Sequence, residues 1–279
     1  MLTGRDVINL MSNPQGELMR NSVLTLSVAA ALAAPGLVAA QTAPAPAASP
    51  SPLTGNMAIV SDYRFRGISQ TFELPAIQGG IDYAHPSGVY LGNWNSSVSG
   101  ISFTDSAGIE MDFYGGFKKS FGDIGFDIGL LQYYYPGTVA PGKNRADTTE
   151  LYGALSWKWL SAKLSYSVGD RTFAVADSQG TYYLDLSATY PITDKFNLLA
   201  HYGIQKFKGN DPALIGGNDS NASYKDWKLG VAYALPANFT VGAYYTDTTM
   251  DDTQRAFYTT PAGREVGKGT ATLYIQKTF

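Results

Sequence analysis

From about residue 54 to the C-terminus, apolar and polar side chains alternate in short runs separated by turn residues, and few stretches carry a helical spacing. A period of two places successive side chains on opposite faces of a β-strand. The last ten residues show the pattern: Ala271, Leu273, Ile275 and Phe279 share one parity, and Thr270, Thr272, Tyr274, Gln276 and Thr278 the other. Twelve such strands are predicted, near 55–66, 75–85, 89–97, 108–119, 124–135, 148–158, 160–168, 181–190, 195–206, 223–233, 239–247 and 267–279. Short turns at 85–88, 120–123, 159, 191–194 and 234–238 alternate with long polar loops. This alternation predicts one all-β, single antiparallel transmembrane β-barrel of about 12 strands, with short periplasmic turns, long external loops and both termini in the periplasm.

Parity then assigns faces. Met57, Ile59, Tyr63 and Phe65 on the first strand, and residues such as Ile77, Phe113, Ile128, Leu155, Leu186 and Leu229 on later ones, form a predicted lipid-facing band. Its aromatics lie toward strand ends, where amphipathic rings prefer the headgroup level. Lys119, Lys206, Lys225 and Lys277 fall on this face near strand ends, where a lysine can snorkel. The third strand is ambiguous, with either Val89 and Leu91 or Tyr90 and Trp94 outward. The opposite parity collects Asp62, Arg64, Arg66, Asp82, Glu110, Asp112, Lys118, Asp127, Glu150, Lys158, Lys163, Asp185, Lys195, Asp226, Lys228 and Lys268, eight acidic and eight basic. A face so charged is either wet or self-neutralised by pairing. Glycines recur on it (Gly80, Gly116, Gly129, Gly203, Gly230, Gly242), as a crowded inner wall requires.

Composition narrows the setting. After residue 40 no run is both apolar and long enough for a spanning helix, so a membrane role falls to strands closed into a barrel. Residues 1–40 read as a signal peptide whose true start is Met19: Arg20 is the charged region, 23–34 the apolar run, and Val38-Ala39-Ala40 the cleavage site. Residues 41–53 read as an Ala/Pro-rich periplasmic linker, and 54–279 as the barrel. The chain has no cysteine, which excludes disulfides and a lipid-modified N-terminal cysteine. A net charge of −3 argues against a nucleic-acid partner. Parity alone also fits a soluble barrel that turns its apolar face inward; the signal peptide, the terminal aromatic and the loop alternation favour the outer membrane.

Several blocks carry a family resemblance. Residues 61–70 (SDYRFRGISQ), 75–83 (PAIQGGIDY), 88–94 (GVYLGNW), 109–117 (IEMDFYGGF), 133–137 (YYYPG), 224–230 (YKDWKLG) and the C-terminal strand resemble the TorF-type porins of proteobacteria. The resemblance spans the expected barrel. It implies an outer-membrane barrel with porin activity and supplies no binding residues.

The charged face suggests the chemistry. Arg64 and Arg66 on an ascending strand, and Glu110, Asp112, Glu150, Asp226 and Lys228 at the starts of descending ones, are expected in the outer half of the lumen. Together with Asp62, Asp82, Lys118, Asp127, Lys163 and Asp185 they are the expected pore lining. Acidic and basic walls facing each other at one depth would set a transverse field that favours small polar or charged solutes. The alternative from the same residues is a salt-bridged plug. No enzyme is expected: His85 lies in a turn, His201 on the inner parity of a strand, and neither comes with a nucleophile motif. Asp247, Asp251 and Asp252 in the last long loop suit a divalent cation or, more commonly, an exposed acidic loop, and neither a metal nor a cofactor is expected. The other functional readings are a closed structural or adhesive barrel that presents loops such as 207–222, and a lipid hydrolase dependent on His201. Expected partners are outer-membrane lipid, small polar solutes and the barrel assembly machinery, for which Leu273, Ile275 and Phe279 are the candidate signal.

Overall fold

A computed structural model of the chain describes residues 51–99, 107–139 and 141–279. The expected signal peptide and the linker up to residue 50 lie outside the described residues. The first strands are β1 (Leu53–Val60), the two-residue β2 (Arg64–Phe65) and β3 (Ile68–Ser69), then β4 (Ala76–Ala84), β5 (Val89–Ser97), β6 (Ile109–Phe121) and β7 (Ile124–Tyr134). There follow β8 (Thr148–Trp157), β9 (Leu160–Ser167), β10 (Tyr182–Pro191), β11 (Phe196–Lys206), the short helix α1 (Gly217–Ala222), β12 (Tyr224–Leu235), β13 (Phe239–Thr249), α2 (Asp252–Phe257) and β14 (Thr270–Thr278).

Twelve of these strands close one antiparallel barrel: each pairs with its neighbour along the chain, β1 pairs directly with β4, and β14 returns to β1. Ile59 stands opposite Ile275, and the Phe279 amide donates to the Gly55 carbonyl at 2.8 Å, so no strand edge is left open.

The alternation resolves into two environments. Ile77, Leu91, Leu155, Leu229 and Leu273 point outward with about three-fifths of their surface exposed, while Asp112, Glu150 and Tyr152, of the opposite parity, are nearly fully buried. Exposed apolar residues occur on all twelve barrel strands, a continuous belt far beyond the isolated patches of water-soluble surfaces. The third strand also resolves: Val89 and Leu91 face out, Tyr90 and Trp94 face in.

Inside, the wall is built from tyrosine lying against glycine. Tyr114 faces Gly92, Tyr90 faces Gly116, Tyr152 faces Gly129, Tyr244 faces Gly230 and Tyr274 faces Gly242, each as a direct cross-strand pair. A Cβ added at Gly92 or Gly242 would come within 2.3 Å of the opposing ring, so these rings occupy the space a side chain would need. Such pairing explains why residues of poor strand propensity recur on the inner face.

The first strand departs from expectation. Its ladder ends at Val60, and residues 61–75 turn into the barrel instead of continuing outward. Arg66 and Gly67 both have positive φ (49° and 81°), the signature of the two-residue turn joining β2 to β3. One buried carboxylate organises the segment: Asp62 accepts from Arg64 Nε at 2.5 Å, Ser69 Oγ at 2.6 Å and Thr71 Oγ1 at 3.2 Å. The Gln70 amide closes the fold on the Tyr63 carbonyl at 2.7 Å. Tyr63 and Phe65, expected to face lipid, are instead inside, with Tyr63 at 5.5 Å and 64° to Trp94 and Phe65 edge-on to Tyr133 and Phe173. Lys158 and Lys195 are exposed in short turns, and Lys268 is exposed just before β14, so none of the three joins the inner face.

Candidate functional site

The inturned segment crosses the barrel. In the ring of strands β6 and β12 stand opposite each other, as do β8 and β14. Tyr63 Oη donates to Glu110 Oε1 on β6 at 2.5 Å, while Gly67 sits so close to β12 that a Cβ there would lie 2.7 Å from Asp226 Cβ. Along the other diameter, Arg66 donates to both oxygens of Glu150 on β8 at 3.0 and 2.8 Å. Arg64 donates to the carbonyls of Val266 and Lys268, at 3.0 and 2.9 Å, in the approach to β14. The segment is thus tied to opposite walls along two diameters of the ring.

The Arg66 contact engages more groups than the Tyr63 tie. Its guanidinium also donates to Gln205 Oε1 on β11 at 2.9 Å and lies over the rings of Tyr183 (4.3 Å), Phe65 (4.7 Å) and Phe173 (5.6 Å). A planar, always charged group suits this place, since it pairs bidentately with a carboxylate and stacks on aromatic faces. Both partners are buried, so each neutralises a charge that would otherwise be costly. Glu110 receives a second hydroxyl, from Tyr135 at 2.5 Å. Asp112, on the same wall, has no hydrogen-bond partner at either carboxylate oxygen among the described residues.

Below the segment the charges meet neighbours on the wall. Tyr114 donates to Asp82 at 2.5 Å, and Tyr90 donates to Asp127 at 2.6 Å and contacts the Tyr152 hydroxyl. The ammonium groups of Lys118, Lys163 and Lys228 sit over the rings of Tyr90, Tyr152 and Tyr244 at 5.1, 4.2 and 5.2 Å. His201 bridges Asp185 (3.3 Å) and Asp226 (2.9 Å), with Ser187 Oγ 3.1 Å from its Nδ1. Ser187, His201 and Asp226 have the composition of a hydrolytic relay, but the Ser187 hydroxyl donates to Asp185 at 2.5 Å and its backbone lies inside the ladder between Ser161 and His201.

A family profile described as a bacterial protein of unknown function, Gcw_chp, matches residues 44–279. The chain belongs to this family. No curated protein matches this Gcw_chp member in sequence. Among solved structures it is similar to a KdgM porin (9% identity, TM-score 0.47, covering 81% of this chain and 99% of that one). A NanC porin stands at 12% identity and TM-score 0.48, covering 81% of this chain and 98% of the other. Pseudomonas aeruginosa OprD stands at 11% and 0.42, covering 83% and 68%. At these values the barrel rests on the chain's own strand pairing, and no activity is carried over.

Of the residues expected to line a pore, Glu110, Asp112, Asp127, Glu150 and Asp226 are buried on the inner face of the wall, and Asp82, Lys118, Lys163, Asp185 and Lys228 are partly buried there. Asp62, Arg64 and Arg66 are inside but belong to the crossing segment, which corrects their placement on the first strand. The expected field across an open lumen is consequently replaced, at the depth of Arg66, by direct contact with Glu150. Sequence reasoning missed Gln205, Tyr133, Tyr135 and Tyr183, whose parity was available but whose partners lie on distant strands. Leu273, Ile275 and Phe279 all face outward. Asp251 accepts from the Gln254 amide as the N-cap of α2.

Proposed function

We propose that the protein is an outer-membrane porin for small polar or charged solutes, closed in its resting state by residues 61–75. The carrying observation is Arg66, held inside the barrel by Glu150 and Gln205 from two different wall strands. The exposed apolar belt supports membrane insertion, because a closed barrel is the one sheet that satisfies its backbone in lipid. The inner wall of carboxylates, ammonium groups and phenols supports polar rather than apolar traffic. The TorF-type resemblance and the expected signal peptide agree with this reading. So does an outward-facing C-terminal strand ending on Phe279, which the barrel assembly machinery would read as its signal.

The test is single-channel recording in planar bilayers under a salt gradient, comparing the native mature protein with a variant in which 62–74 is replaced by a short Gly/Ser linker. The native protein is expected to show rare steps and the variant frequent, larger ones. The crossing segment also favours one second reading, a permanently closed barrel that displays its loops. Silence from both proteins, each shown to be folded and inserted, overturns the porin in favour of that reading.

A further inference from the structure

The seat of Arg66 is built by the wall and not by the segment that fills it. Apart from Phe65, its parts lie outside residues 61–75: the Glu150 carboxylate on β8, Gln205 Oε1 on β11, and the rings of Tyr183 on β10 and Phe173 in the 168–181 connection. Each part is held by a contact of its own. Tyr183 Oη donates to Asp226 at 2.8 Å, and Gln205 Nε2 donates to the Tyr182 carbonyl at 3.2 Å, which leaves Oε1 to the guanidinium. Tyr133 Oη donates to Glu150 at 3.4 Å, and the Phe173 amide donates to Thr148 Oγ1 at 2.7 Å. None of these four contacts involves the crossing segment, so a segment that swings away leaves the seat standing. What stands is a carboxylate, an amide oxygen and ring faces arranged around the position of a flat cation, the combination that a guanidinium prefers.

Beside this seat lies Asp112, fully buried near the start of β6, with neither carboxylate oxygen hydrogen-bonded among the described residues. It stands opposite Tyr133 in the ladder, whose hydroxyl reaches Glu150, and the charges of Glu110 and Glu150 both act on it. The Lys163 ammonium acts on it from β9, and acts on Glu150, Asp127 and Asp185 as well. Both guanidinium groups buried in the barrel among the described residues, Arg64 and Arg66, belong to the crossing segment. When the segment leaves, Glu110 loses the Tyr63 hydroxyl and Glu150 loses its guanidinium. Glu110, Asp112 and Glu150 then face the lumen together at the outer ends of β6 and β8. A buried carboxylate that no donor meets is costly, and a solute that brings its own positive charge relieves that cost.

We propose that the solutes of this channel are small organic cations, whose guanidinium or ammonium head takes the place of Arg66 on Glu150 while Asp112 meets a second positive group where the solute carries one. The inference rests on the pore reading and names its substrate class. Arg66 is then an internal stand-in for the solute, and an arriving cation competes with the segment for Glu150. An anionic solute meets carboxylates at the same point and is turned back.

The test is made in planar bilayers in potassium chloride, on the native mature protein and on the variant with 62–74 replaced by a Gly/Ser linker, which empties the seat. Three probes are compared: butylguanidinium, its neutral isostere butylurea, and agmatine, which adds an ammonium at the far end of the same four-carbon chain. In the linker variant, butylguanidinium is expected to interrupt the current saturably at concentrations at least tenfold below butylurea, and agmatine at lower concentrations still. Glu150→Gln in that background is expected to bring butylguanidinium to the level of butylurea. Asp112→Asn is expected to remove the advantage of agmatine; it replaces an unmet charge by a neutral isostere, which keeps the test decisive if Glu150→Gln does not fold. In the native protein, butylguanidinium but not butylurea is expected to raise the frequency of opening. Equal action of butylguanidinium and butylurea on a conducting variant, or unchanged block in the folded Glu150→Gln and Asp112→Asn proteins, would overturn the cation seat and leave the pore reading standing. Silence from a linker variant shown to be folded and inserted would overturn the pore reading and this inference with it.

Discussion

Carboxylates at two levels of the barrel interior differ in whether the crossing segment takes part in neutralising them. In the outer half, Glu110 and Glu150 are met by Tyr63 and Arg66, residues of a segment that is not part of the wall. In the inner half, Asp82, Asp127 and Asp185 are met by wall residues no more than two strands away. A contact between neighbouring strands forms with the barrel and is lost only with it. A contact made by the crossing segment can be broken while every ladder stays intact. On the proposed porin reading, gating energy sits in residues 61–75 and solute preference in the wall beneath them.

The largest break in this comparison comes from replacing 62–74 outright, where conductance is expected to rise severalfold while the barrel keeps its heat-resistant mobility on gels. Equal conductance would place the constriction in the inner half. Next is the ion pair. Arg66→Gln strips Glu150, a buried carboxylate, of its guanidinium and leaves it a long hydrogen bond from Tyr133 at 3.4 Å. Removing one member of a buried pair costs roughly 3–5 kcal/mol, so the docked segment should open about a hundred- to a few-thousandfold more often. Arg66→Gln combined with Glu150→Gln removes both charges and should recover most of that loss. A double variant as open as the single one would show that the charges do not hold the segment.

Much of the barrel was legible because the period of two records lipid on one side of each strand and the lumen on the other. It failed at Val60, where Tyr63 and Phe65 continue the parity of Met57 and Ile59 without sharing their environment. Parity says that a ring must be buried in something apolar; it does not say whether that is lipid or Trp94 and Phe173 inside the barrel. The counter-signals were local: the Arg66-Gly67 dipeptide as a tight turn, and Asp62 spaced to reach Ser69 and Thr71. Of the candidate site, the side of the sheet taken by residues such as Asp112 and Glu150 was readable. Their partners were not, since Arg66 meets Glu150 and Gln205 only once the ring of strands has closed.

A smaller effect sharpens the contrast from within the segment. Gly67 has a left-handed φ of 81° and lies against Asp226 and Thr248. Gly67→Ala incurs roughly 1–2 kcal/mol of backbone strain and pushes a methyl into the wall. Opening should rise about tenfold, read from dwell times or faster hydrogen exchange across 61–75, with the strand amides unchanged. Exchange that quickens along β12 as well would show that segment and wall move together.

The smallest effect on gating tests the inner half. Tyr114→Phe removes the hydroxyl that donates to Asp82 but leaves the ring in place over Gly92. A hydrogen bond to a charged group contributes roughly 1.5–3 kcal/mol, so unfolding in urea should shift by about that much. The dwell times of the crossing segment should not move, because Asp82 and Tyr114 touch none of residues 61–75 through any hydrogen bond among the described residues. If Tyr114→Phe changed gating as much as Gly67→Ala, the two halves of the lumen would be one cooperative unit, and the division of gate from wall would have to be abandoned.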